Sequence, residues 1–236
     1  MADEFKPSKL SSALHSSQRS GNSSAENQSF PAAEHLLHLT DRELFVRLGW
    51  FISIRWVAGV VALLLVLIAW HQFKIRLPIR QIVLTICALF FYNALFLMLV
   101  TDAYRRKRVS RRFVISCANA QIICDFVTLA VLMHYTGGVE NYFLIFFICP
   151  MVVACELLPA RYAYMHAALG ALLINLVAWL EYAGVLNHVT FGEVLGSAGY
   201  KNTLVVTQFT VALSCLLFTA AFLGSSISER LSLIHI

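Results

Sequence analysis

Six apolar runs set the terms for this chain. They lie near residues 50–70, 79–101, 113–135, 142–158, 162–182 and 202–224. Each is about 17–24 residues, or roughly 25–35 Å as a helix, which matches a hydrocarbon core about 30 Å thick. A segment inside lipid finds no water for its amides, so it must satisfy them internally. Helices do this. A β-barrel would need short alternating segments, and these runs do not alternate. The sequence therefore predicts an all-α, polytopic membrane protein with six transmembrane helices over residues 41–224.

Composition agrees. Hydrophobic residues make up 59% of the chain and charged residues 13%, where a soluble domain is nearer half apolar and a quarter charged. Residues 1–40 are different: nine serines and no sustained apolar run predict a disordered tail. The first apolar run begins near Gly49, so no cleaved signal peptide is expected. All six cysteines sit inside apolar runs without a CxxC pair. They read as small core residues rather than a disulfide framework or a metal site.

The basic residues give the orientation. Tyr104–Arg112, YRRKRVSRR, puts six of them between the second and third runs, which predicts a cytoplasmic loop. Fourteen of the eighteen Lys and Arg residues then fall on that side, and Lys74, Arg76, Arg80 and Lys201 on the other. Both termini are expected in the cytoplasm, as in a multi-pass protein of the bacterial inner membrane. The net charge of +5 thus reads as a topology signal and a contact for anionic lipid, not as a nucleic-acid site. The outward loops are short, so whatever is sensed must arrive through the bilayer or be a property of it.

Polar residues inside the runs are the candidates for function. Cys117, Gln121, Cys124, Asp125 and Thr128 fall at i, i+4, i+7, i+8 and i+11 and share one helix face. Asp125 lies near mid-membrane, where a lone charged carboxyl costs several kcal/mol. It either finds partners on neighbouring helices or gives up its charge. Gln121 and Asp125 therefore read as interhelical glue or as a proton- or ligand-linked pair. Arg55 is expected to snorkel from the inner end of the first span. Glu156, at the inner end of the fourth span near Arg161 and His166, is expected to form a structural ion pair or a water-exposed anchor, and Glu181 and His188 to be solvated at the outer rim. His134 and His166 exit toward opposite faces, which argues against a shared haem.

The stretch LMHYTGGVENYFLIFF, Leu132–Phe147, separates the third and fourth runs. Gly137 and Gly138 can take positive φ and stop one helix, and Asn141 can cap the next. That suffices for a tight hairpin. Glu140 and the aromatic belt around Tyr142 and Phe143 allow a second reading. Glycines let a flat ligand approach, helix-start amides and Asn141 donate to a carbonyl, and aromatic rings cover it. A quinone has that chemistry.

Gly137-Gly138-Val139-Glu140-Asn141-Tyr142-Phe143 resembles the GGxxNPF signature of RegB-type redox-responsive sensor histidine kinases. Gln121-x-x-x-Asp125, Arg55-Trp56 and Leu158-Pro159-Ala160-Arg161-Tyr162 are similar to the same family's membrane region. The resemblance covers roughly residues 45–230 and departs at Tyr142, where the family has proline. It implies a sensory input domain working as a homodimer. It implies quinone sensing at Gly137, Gly138, Asn141 and Phe143, with Glu140 at a variable position, and control of a kinase core that passes phosphate to a response regulator. Residues 225–236 stop before such a core. No catalytic or metal-binding residue and no cofactor is expected here, ATP belonging to the absent core. Ser228-Glu229-Arg230-Leu231 reads as the start of a cytoplasmic signalling helix, truncated, with SLIHI outside the pattern. Two other readings are a transporter or channel built on Asp125 and Gln121, and the input domain of another signalling enzyme such as a diguanylate cyclase.

Overall fold

A computed structural model describes residues 46–68, 70–71, 78–106, 110–140, 142–189 and 199–234. The tail expected over residues 1–40 and the last two residues lie outside these. The described residues are 91% helical, without strands. Helices α1 (Val46–Ile68), α2 (Ile79–Arg105), α3 (Arg111–Tyr135) and α5 (Ala160–Tyr182) are long and apolar enough to cross a membrane. So is Thr203–Ser228 within α6 (Thr203–Ile234). Helix α4 (Ile148–Leu157) is the short sixth member.

The ends of these helices follow local chemistry. Ser110 caps α3, its hydroxyl accepting the Phe113 amide at 3.3 Å. Leu158 is extended because a proline follows it, and Pro159 then opens α5. Asn202 caps α6 by accepting the Leu204 amide at 3.0 Å.

The fourth run departs from the expected continuous helix over 142–158. Residues Tyr142–Phe147 form a 3-10 helix, and regular α-helix begins only at Ile148. Pro150 supplies the reason: it has no N–H to give Phe146, and its ring clashes with that carbonyl in an α-helix. Helix α6 covers the sixth run, and the helical segment expected from residue 225 is its direct continuation. The helix continues to Ile234 without a break, 32 residues in all, or about 48 Å.

Helix α3 is the centre of the bundle. Its most apolar stretch is 44% buried, against 17% for α1 and for α2. It packs on α2, α4 and α5, while α6 lies against α4 and α5. Phe126, Phe147, Met151, Ile174 and Leu217 fill the core. Gly170 lets α5 close on α3, since a Cβ there would lie 2.7 Å from the Phe126 ring. Lipid offers little hydrophobic drive between helices, so such small residues set how closely they approach. The outer faces of α1, α2 and α6 carry exposed Leu, Val, Ile and Phe, as lipid-facing helices should.

Candidate functional site

Two groups of polar side chains stand out within the apolar bundle. The first lies mid-bundle and joins three helices. Arg55 of α1 donates from Nε to Oδ2 of Asp125 on α3 at 2.8 Å. Its Nη2 is 2.7 Å from the same oxygen, an ion-pair contact without the alignment of a hydrogen bond. Tyr92 of α2 donates to Oδ1 at 2.7 Å. Gln121, one turn from Asp125, makes a long 3.5 Å contact with Nη1 of Arg55. Asn93, beside Tyr92, donates to the Ile52 carbonyl at 3.1 Å.

Gln121 and Asp125 do share a face, and that face looks into the bundle. One expectation needs correction here. Arg55 does not snorkel: it is 7% exposed and turned inward to Asp125. Asp125 finds its partners on neighbouring helices, where a guanidinium and a phenol share its charge. The pair is more economical than either charge alone in a low-dielectric interior. Tyr92 and Asn93 were not singled out from sequence. A tyrosine-asparagine pair midway along an otherwise apolar helix is the signal that could have found them.

The second group lies where α3 ends and α5 ends. Thr136 closes α3, and Gly137 and Gly138 follow with φ of 113° and 55°. Only glycine takes such values without strain. The bend then forms a short 3-10 turn, Gly138–Glu140. Glu181, in the last turn of α5, sits directly over it. A Cβ on Gly138 would lie 2.1 Å from the Glu181 Oε2 atom. The room beside that glycine is thus taken by the protein's own carboxylate.

Glu181 is held by two histidines. Nδ1 of His134 lies 2.7 Å from Oε1, and Nδ1 of His188 lies 2.8 Å from Oε2. His188 also places Nε2 at 3.5 Å from Oε2 of Glu140. Its ring stacks on Tyr200 at 3.8 Å and 14°. The other Glu140 oxygen accepts the Tyr200 amide at 3.3 Å. Tyr200 belongs to the 3-10 turn Gly199–Lys201 that leads into α6. The expectation of a solvated rim is therefore overturned: the Glu181 side chain is 1% exposed and that of His188 3%. They are buried because the chain beyond α5 folds back over the bend.

Of the residues expected to hold a ligand, Gly137, Gly138 and Glu140 belong to this second group. Tyr142 opens the following 3-10 helix with Phe143, and Asn141 lies outside the described residues. Gln121 and Asp125 belong to the mid-bundle group instead. Glu156 is not near Arg161 or His166 in its pairing; it meets Arg47 at 3.2 Å. His166 pairs with Asn119 at 2.9 Å, well apart in the chain from the His134 pair with Glu181. Among the described residues no grouping of His, Cys, Asp and Glu suits a metal ion.

Neither the curated proteins nor the solved structures compared with the chain gave a match. Among protein families, residues 40–234 match the PilS-like transmembrane domain, a six-span module associated with sensor kinases. A buried bundle of six apolar segments, tied by an intramembrane ion pair and closed over a glycine bend, thus belongs to the family of PilS-like transmembrane domains.

Proposed function

We propose that this domain is the sensory input of a bacterial two-component histidine kinase. It would control ATP-dependent autophosphorylation of a kinase core joined beyond α6, and through it a response regulator. Family membership points to a membrane sensor. The observation that carries the reading further is α6. It starts beside the glycine-bend cluster at Tyr200 and runs 32 residues without a break. About 18 Å of that helix exceeds a 30 Å core. A rigid rod of this kind can pass a displacement from one membrane face to the other side.

In this reading both ends are cytoplasmic, on the side that holds thirteen of the basic residues once the buried Arg55 is set aside, and the glycine bend faces out. The domain works as a homodimer surrounded by inner-membrane lipid. The signal is a membrane-soluble molecule, and a quinone is the candidate, with Glu140, Asn141, Tyr142 and Phe143 as its proposed contacts. Its oxidised form accepts hydrogen bonds and its reduced form donates them, so the two would favour different packings. A tenfold difference in affinity would bias the packings by about 1.4 kcal/mol. The Arg55–Asp125 pair weighs against a transporter, because Asp125 is already neutralised by its helical neighbours.

Two measurements test the reading. Short-chain quinone binding to the purified domain in nanodiscs should weaken at least tenfold in Asn141→Ala; equal affinity removes the site. Autophosphorylation of the kinase-bearing protein in proteoliposomes should differ between oxidised and reduced quinone. Equal rates would discard the quinone, and no phosphorylation at all would discard the kinase.

A further inference from the structure

The cluster at the glycine bend is a chain of four titratable side chains from four places. They are His134 of α3, Glu181 of α5, His188 beyond α5 and Glu140 of the bend. Its three contacts are 2.7, 2.8 and 3.5 Å long. Each sets a ring nitrogen against a carboxylate oxygen, so each needs one proton between the two. A neutral imidazole carries one N–H. With both rings neutral, their protons serve the two contacts to Glu181. The third contact would then face a nitrogen lone pair against a carboxylate oxygen, two acceptors. A third proton, on either atom, makes it a hydrogen bond.

Burial gives this count its force. Nε2 of His188 is aimed at Glu140 from a side chain 3% exposed, and it has no hydrogen-bond partner among the described residues. Water therefore does not readily replace the proton. We propose that these four side chains form a proton-binding site that latches residues 183–189 and 199–202 onto the ends of α3 and α5. The latch grips with the third proton bound and loosens when it leaves. The site stands on its own geometry; only its use as an input rests on the sensor reading.

A metal ion fits the spacing less well. Nitrogen and oxygen ligands about 2.0–2.1 Å from a tetrahedral ion stand about 3.3 Å apart, whereas 2.7 and 2.8 Å are hydrogen-bond separations. The surrounding charges also favour a proton. Burial pushes the His188 imidazole down, but the hydrogen bond to Glu181 and the charges of Glu181 and Glu140 outweigh it, leaving it above its ordinary 6.5. The cation facing the group is Lys201, whose ammonium is 5.7 Å from the Tyr200 ring on which His188 stacks. Tyr135 lies beside His134 at 4.9 Å, and Tyr182 is engaged with Thr203. A base whose folded value is raised stabilises fully below its unfolded value and ceases to do so as pH climbs through the folded one. The latch is therefore closed in acid and opens as pH rises through the raised value of His188.

Glu140→Gln separates this mechanism from mere packing. Its amide nitrogen can donate to Nε2 of a neutral His188 while its oxygen still accepts the Tyr200 amide, so the third contact closes without an extra proton. The test is hydrogen exchange of residues 183–189 and 199–202 in the domain in nanodiscs, corrected for intrinsic rate. In the wild type, protection should fall several-fold between about pH 6 and about pH 8.5, the direction that a raised histidine pKa dictates. In Glu140→Gln it should persist at the higher pH. Nitrogen-15 imidazole shifts of the wild type should show His188 titrating above 6.5. Protection independent of pH in the wild type, a Glu140→Gln variant that loses it equally, or titration at or below the ordinary value would each overturn the proposal. These readouts need neither kinase nor quinone, so their failure would leave the sensor reading intact.

Discussion

Removing one member of the Arg55–Asp125 pair should be far more damaging than removing both. In Asp125→Leu the guanidinium loses its two contacts of 2.8 and 2.7 Å. It keeps only the 3.5 Å approach to Gln121. The Arg55 side chain is 9% exposed, and what surrounds the bundle at that depth is lipid rather than water. Breaking a buried pair from one side costs about 3–5 kcal/mol. A lone charge at a helix centre costs about 2.5–3.5 kcal/mol on insertion scales, in agreement. Arg55→Met strands the carboxylate in the same way, relieved in part by Tyr92. The double variant Arg55→Met/Asp125→Leu leaves no charge behind and fills the space with apolar atoms. It should fall within about 1–2 kcal/mol of wild type, since such replacements of buried pairs are often neutral.

The assay is reversible unfolding of the domain in mixed micelles, titrated with a denaturing detergent and followed by circular dichroism, as a double-mutant cycle. The expected coupling is at least about 2–3 kcal/mol. Single variants that each lose less than about 1 kcal/mol would mean that the charges reach water. A double variant whose loss equals the sum of the singles would mean that the two side chains act independently. Either result would refute the pair as a tie between α1 and α3.

Three further expectations follow from individual contacts. Tyr92→Phe removes the 2.7 Å hydrogen bond to Asp125 and should cost about 1.5–3 kcal/mol in the same unfolding assay, as a bond to a charged group does. Gly138→Ala places a Cβ at a φ of 55° and 2.1 Å from Glu181. The displaced carboxylate loses histidine hydrogen bonds worth about 1.5–3 kcal/mol each, so the variant should be destabilised by at least about 3 kcal/mol and should lose hydrogen-exchange protection near His188. Gly170→Val meets the Phe126 ring at 2.7 Å and Leu217 at 3.0 Å. Overpacking of this kind costs about 1–3 kcal/mol, with the shift visible as a lower thermal midpoint and unchanged helical content.

Depth could be read from the chain, but direction could not. The distance of a residue from the end of its apolar run gives its height in the membrane. That is why the five long spans and the place of Asp125 near the middle of its helix were legible. The side a residue faces depends on how the helices are ordered around the bundle, and helical periodicity is silent on that. Arg55 was assigned to the near surface because long basic side chains can usually reach water. Yet Asp125 on the neighbouring α3 offers a charged partner at reachable depth. The 3-10 start of the fourth segment was legible in principle, since Pro150 forbids the α-helical bond to Phe146.

The same distinction explains the glycine bend. From sequence, Gly137 and Gly138 promised open backbone, and Glu181, some forty residues later, read as a solvated end of its helix. Helices α3 and α5 both run toward the same end of the bundle, so His134 and Glu181 arrive at one height. There a glycine in the positive-φ region is what allows a carboxylate to come down onto the backbone. The requirement for glycine is thus explained without a ligand, by the approach of Glu181. Glu140 then has its own reason to be acidic. Of its two oxygens one takes the Tyr200 amide and the other faces His188. The bend therefore couples α3, α5 and the entry to α6 through one shared set of protons, and a sensor whose output leaves along α6 would feel any change in that set directly.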